Sequence, residues 1–130
     1  MLTRRLLLVV ALALAGATGS CGATSAGDGT PPAAPADADA TIVAVDMAFD
    51  PGTVTVAATG EPLTIAFANN DAMPHNMAIY TDSSKSEKLF EGEMVTDGST
   101  IYEIPALDPG EYFFDCSLHP NMTGTLVVEG

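Results

Sequence analysis

Positive charge, histidine, cysteine and tryptophan are all scarce in this chain, and each scarcity removes a class of function. Lys and Arg number 4 against 17 Asp and Glu, a formal charge of −13, and Trp is absent. Nucleic-acid binding depends on clustered Lys and Arg, so no nucleic-acid partner is expected. The 2 histidines are too few for the several imidazoles of a multi-copper oxidase or reductase centre. The 2 cysteines exclude a disulfide-dense scaffold, and the single bridge open to them, Cys21 to Cys116, would tie a strand end to a spacer of small residues. No internal repeat, amphipathic helix or Gly-rich phosphate loop is found, and nothing in the chain calls for an enzyme.

Long apolar runs are missing too. The longest, Leu6 to Ala15, spans 10 residues, whereas a membrane-crossing helix needs roughly 20. It follows a short basic start, Met1-Leu2-Thr3-Arg4-Arg5, and precedes small residues, the order of an export signal. Residues 1–20 are therefore expected to be a signal peptide. Arg4-Arg5 suits either the twin-arginine or the ordinary secretory route. Thr18-Gly19-Ser20-Cys21 resembles a bacterial lipobox, apart from Thr18, where an aliphatic residue is usual. Cys21 is thus a lipidation candidate, with soluble release after Ala15-Gly16-Ala17 as the alternative. Residues 21–40 are rich in Ala, Gly, Pro and Asp and lack any large apolar side chain, which reads as a flexible tether. Removing the signal leaves two lysines, Lys85 and Lys88, against the 17 carboxylates, a formal charge of −15.

Residues 41–130 form one small domain with a period-two apolar pattern and frequent turn residues, predicting an all-β sandwich of about seven or eight strands. Expected strands run over 41–47, 53–57, 63–67, 76–80, 99–104, 111–116 and 124–128, with a polar loop at 82–92 that can hold a helical turn. Leu63, Ile65 and Phe67 share one inward face. Met47, Met77 and Met94 lie in strand-like runs and read as core. The turn Asp108-Pro109-Gly110 followed by Tyr112 has the pattern of a tyrosine corner, whose hydroxyl bonds back to the chain a few residues upstream.

Chemistry concentrates near the C-terminus, where Cys116, His119 and Met122 follow one another at intervals of three residues. Thiolate, imidazole and thioether are donors that copper favours, and two imidazoles with a thiolate and a weak axial thioether make a type 1 site. His75, after the turn Asp71-Ala72-Met73-Pro74, is the remaining histidine. Met73 beside His75 is also a candidate copper(I) pair.

The Cys-x2-His-x2-Met spacing, Pro74-His75-Asn76, the Pro109-Gly110-x-Tyr112 turn and the Met-x-Gly ending together resemble the cupredoxins, the small blue copper proteins, in their amicyanin and plastocyanin branch. The resemblance runs from about Thr41 to the C-terminus and implies a Greek-key β-sandwich with one type 1 copper per chain. It makes His75, Cys116 and His119 equatorial ligands and Met122 the axial one. Asn76 and Ser117 carry over as residues that link the two ligand segments without touching the metal, and Pro120 stiffens the loop around His119.

The function implied is one-electron transfer through Cu(II)/Cu(I) by an exported monomer, periplasmic or at the cell surface and anchored through lipidated Cys21, serving a redox partner protein. The alternative is copper delivery, storage or sensing at the cell surface with no electron-transfer role.

Overall fold

The structure, a computed structural model, describes residues 37–130. The expected signal peptide (1–20), most of the tether (21–40) and the lipidation candidate Cys21 lie outside the described residues. Nine strands occur in chain order: β1 Ala40–Val45, β2 Ala48–Asp50, β3 Thr53–Ala57, β4 Leu63–Asn69, β5 Ala78–Tyr80, β6 Lys88–Glu91, β7 Gly98–Ile104, β8 Gly110–Cys116 and β9 His119–Glu129. Among the described residues there is no helix.

The strands form a sheet in the order β2-β1-β4-β7 and a second in the order β3-β9-β8-β5-β6. Parallel pairs β1/β4 and β3/β9 make both sheets mixed. The inward faces follow the alternation in the sequence. Ile42 and Ala44 of β1, Val54 and Val56 of β3, and Leu63, Ile65 and Phe67 of β4 are buried in one cluster with Phe114, Leu126 and Val128. Burying each large apolar side chain contributes roughly 1.5–3 kcal/mol. At the centre, Phe49 packs edge-on against Phe114, ring centroids 5.1 Å apart, and Phe67 stacks on Tyr102 at 5.3 Å.

Two glycines are required by close approach. A Cβ at Gly124 would run into the Phe114 ring and the Gly52 carbonyl oxygen, and one at Gly92 would strike the Tyr102 ring. The tyrosine corner is formed, with Tyr112 Oη donating to the Asp108 carbonyl at 2.8 Å.

Departures from expectation have local causes. Instead of running through Met47, the first strand stops at Val45, and a two-residue turn at Asp46 and Met47 leads back into β2. Both turn residues are left-handed, with φ of 53° and 60°, as a tight hairpin twist demands. Met47 is consequently 47% exposed rather than core, and Met94 sits exposed outside any strand. Met77 is buried as expected, one residue before β5. The polar stretch 82–92 yields the edge strand β6 in place of a helical turn, which with β2 raises the strand count to nine.

Candidate metal centre

His75 is held before its ring is considered. Its amide donates to the Val95 carbonyl at 3.0 Å and its carbonyl accepts from Val95 N at 2.8 Å. Asn69, buried at the end of β4, braces the turn that leads to it. Asn69 Nδ2 donates to the Met73 and Val95 carbonyls at 2.8 and 2.7 Å, and Asn69 Oδ1 accepts the Asp71 amide at 2.9 Å. The imidazole is fully buried, and its Nε2 lies 3.0 Å from Asp71 Oδ2. That contact leaves Nδ1 as the free ring nitrogen.

Cys116 ends β8, and His119, its register partner, opens β9 across a turn made of Ser117 and Leu118. The expected ligand loop is therefore mostly a hairpin turn. Beyond it the register jumps from His119 to Thr123, opposite Asp115. The residues between, Pro120 to Met122, bulge out of the ladder, and such an insertion re-aims side chains. Met122 is thereby turned into the core cluster that contains Cys116, and it is buried.

Three donor atoms converge. Cys116 Sγ lies 3.7 Å from His75 Nδ1 and 3.5 Å from His119 Nδ1, and donor atoms of the three residues all fall within 4.8 Å of one another. The two imidazole rings are 4.7 Å apart at their centroids and tilted by 57°. Cys116 is a free, fully buried thiol, and His119 is half-buried at the rim beside Leu118, which is 55% exposed. A soft thiolate with two convergent imidazole nitrogens and a buried thioether nearby is the donor set of a type 1 copper site, so these residues fit that metal.

The segments that carry the donors are bonded to each other. Asn76 Oδ1 accepts the Ser117 amide at 2.9 Å, while Asn76 Nδ2 donates to Ser117 Oγ at 3.2 Å and to the Gly92 carbonyl at 3.0 Å. Ser117 Oγ in turn donates to Glu91 Oε1 at 2.8 Å, and Glu91 Oε2 pairs with Lys88 at 2.6 Å. The Lys88 ammonium and the Ser117 hydroxyl outweigh a smaller desolvation effect and hold the Glu91 carboxyl below its ordinary value. At Asp71, burial acts against ionisation. The Met47 and Asp46 amides and the His75 ring overcome it and hold that carboxyl below its ordinary value as well.

Met73 does not join the cluster as a copper(I) partner of His75, since Met73 is 52% exposed whereas His75 is fully buried with Nε2 taken by Asp71. Sequence reasoning missed Asn69, Asp71 and Glu91. For the first two a signal existed, because the run Asn69-Asn70-Asp71 just before His75 favours side-chain hydrogen bonds to nearby backbone. Asp115, next to Cys116, is buried and pairs with Lys85 at 2.6 Å, while its Oδ1 has no partner among the described residues.

Comparison with known proteins gives concordant matches. The model of the cupredoxin-like domain family matches residues 5–128. Amicyanin of Paracoccus versutus is 38% identical over 101 residues, covering 75% of this chain and 73% of the relative. Plastocyanin A/B of Petroselinum crispum is 34% identical over 88 residues, covering 63% of this chain and 88% of the relative. The crystal structure of dithionite-reduced auracyanin from the photosynthetic bacterium Roseiflexus castenholzii aligns with a TM-score of 0.59 at 23% identity, covering 70% of this chain and 96% of that one, a likeness of fold.

Proposed function

The chain belongs to the cupredoxin-like family, and from that membership we propose that it is an exported type 1 copper protein carrying single electrons, not an enzyme. The observation that carries the reading is the convergence of Cys116 Sγ with Nδ1 of both His75 and His119, at 3.7 and 3.5 Å. His75, Cys116 and His119 would hold the copper, with Met122 as a weaker fourth donor. Bound there, copper supplies a one-electron Cu(II)/Cu(I) couple.

The protein's own contribution is rigidity. Val95 fixes the His75 backbone, Asp71 fixes its ring, and the paired bonds between Asn76 and Ser117 keep the two ligand segments at constant separation. A site that moves little between oxidation states lowers the reorganisation that accompanies each transfer. Buried Cys116 and Met122 keep water from the donors, while half-buried His119 reaches the surface between Leu118 and Pro120 and is the exit for the electron. The partner is a redox protein met through a small, short-lived interface, as electron-transfer encounters use. The signal and tether expected from the sequence support a periplasmic or cell-surface location, with Cys21 as the proposed lipid anchor.

Loaded with Cu(II), the protein is expected to turn intensely blue through thiolate-to-copper charge transfer, and Cys116→Ala to abolish the colour. A colourless Cu(II) complex overturns the assignment. Copper delivery uses the same donors, but the burial of His75, Cys116 and Met122 favours retention of the metal. Retention against a strong chelator with millisecond electron exchange separates the two; rapid surrender of the metal supports delivery.

A further inference from the structure

The turn between β1 and β2 has no hydrophobic reason to stay in place, since Asp46 and Met47 are both exposed and both left-handed. Left-handed backbone accepts an aspartate such as Asp46 but disfavours methionine, and Met47 stands where such a turn usually has glycine. What holds it is a carboxylate from another loop. Asp46 N donates to Asp71 Oδ1 at 2.8 Å and Met47 N to Asp71 Oδ2 at 3.0 Å. The same Oδ2 stands 3.0 Å from His75 Nε2.

We propose that Asp71 is a positioning residue that makes this hairpin turn part of the metal centre, one carboxylate oxygen being shared between the Met47 amide and the His75 ring. The inference deepens the copper reading and rests on it for its metal-dependent half. An acceptor at Nε2 keeps the proton on that nitrogen and presents Nδ1, lone pair outward, to the Cys116 sulfur. The tautomer at His75 is thus set by a group that also closes a turn some 25 residues earlier in the chain. Fixing His75 on a metal fixes Asp71, and Asp71 fixes the two turn amides. The amides at positions 46 and 47 therefore report on metal occupancy without touching a ligand.

The test has two arms on the purified exported protein. In the metal-free state, imidazole nitrogen chemical shifts are expected to show His75 as the single Nε2–H tautomer, and D71A, which leaves no side-chain acceptor at Nε2, to produce a mixture. On loading with Cu(I), hydrogen exchange at the amides of Asp46 and Met47 is expected to slow by about tenfold or more in the parent chain, with D71A abolishing the change. The same pair of measurements in a D46N/M47G background, whose Asn-Gly turn forms without help from a carboxylate, keeps the test available if D71A alone fails to fold. An unchanged tautomer in D71A, or turn amides indifferent to a bound metal, overturns the proposal. A chain that shows the tautomer switch but takes up no copper leaves the clamp standing and removes the copper reading instead.

Discussion

Asn76 and Ser117 are bonded to each other twice, the Ser117 amide donating to Asn76 Oδ1 at 2.9 Å and Asn76 Nδ2 donating to Ser117 Oγ at 3.2 Å. They are 41 residues apart in the chain, and each directly follows a proposed copper ligand. The separation of His75 from Cys116 is thus set by one amide side chain as well as by the sheet. Neutral hydrogen bonds have a net worth of only about 1 kcal/mol each, but an orphaned buried group costs more.

Asn76→Ala removes both bonds and also leaves the Gly92 carbonyl without its side-chain donor. The expected loss is about 2 to 3 kcal/mol in the metal-free protein, read from urea unfolding. In the copper form the visible band is expected to broaden and copper loss to accelerate. Asn76→Asp is expected to rescue the bond from the Ser117 amide alone. Equal copper-loss rates in the parent and Asn76→Ala would remove the linking role.

The two lysines are expected to behave differently although both form ion pairs at 2.6 Å. Lys88 pairs with Glu91, and both side chains are well exposed, the situation in which an ion pair contributes little. Lys85 instead covers Asp115, a buried carboxylate beside Cys116 whose other oxygen already lacks a partner among the described residues. Lys85→Met strands that charge. Its urea midpoint is expected to fall well below that of Lys88→Met, and K85M/D115N to recover most of the difference. Similar midpoints for the two single variants would refute this.

Legibility in the sequence followed the range of the interactions involved. The candidate donors were visible because thiol and imidazole are rare here and Cys116, His119 and Met122 are closely spaced, and β3, β4 and β8 were visible because alternation is a local pattern. Strand β2 was not. Its turn, Asp46-Met47, carries no glycine, and the carboxylate that holds it lies about 25 residues away. Strand β6 is a short edge strand in a charged stretch with no alternation to betray it. Glu91 was hidden by number, being one of 17 acidic residues with nothing local to separate it from a solvated surface, whereas Asp71 carried only the weak turn signal of Asn69-Asn70-Asp71. Met47 and Met94 read as core because each lies in a strand-like run, but the β1–β2 turn faces Met47 outward and Met94 lies outside any strand.

Asp39 offers a clean pH dependence remote from the metal centre. The Thr64 amide, at 2.7 Å, and the Thr64 hydroxyl, at 2.8 Å, both donate to Asp39 Oδ2 and hold its carboxyl below the ordinary value, against a smaller desolvation effect. A depressed folded-state value means that the contribution is present above the unfolded-state value and lost as the pH falls through the folded-state one. Asp39→Asn is therefore expected to lower stability by under about 1 kcal/mol near neutral pH, the group being exposed. The gap between parent and variant narrows below about pH 4, as urea midpoints measured from pH 3 to 8 would reveal. A gap that widens on acidification contradicts the assignment.

Methionine substitutions separate the proposed axial ligand from its surroundings. Met122 lies buried in the core cluster with Cys116, whereas Met47 and Met73 are about half exposed on the turns near His75. Met122→Ala opens a cavity and is expected to lower the stability of the metal-free protein by about 2 to 4 kcal/mol. In the copper form it removes the weak thioether, so the visible spectrum and the reduction potential are expected to move with it. Met122→Leu fills the cavity without supplying a donor; it is expected to restore stability while leaving spectrum and potential displaced, which separates packing from ligation. Met47→Ala and Met73→Ala are expected to change neither spectrum nor stability appreciably. A Met122→Leu protein with the parent spectrum and potential would show that the thioether only fills space, and would leave the metal with His75, Cys116 and His119 alone.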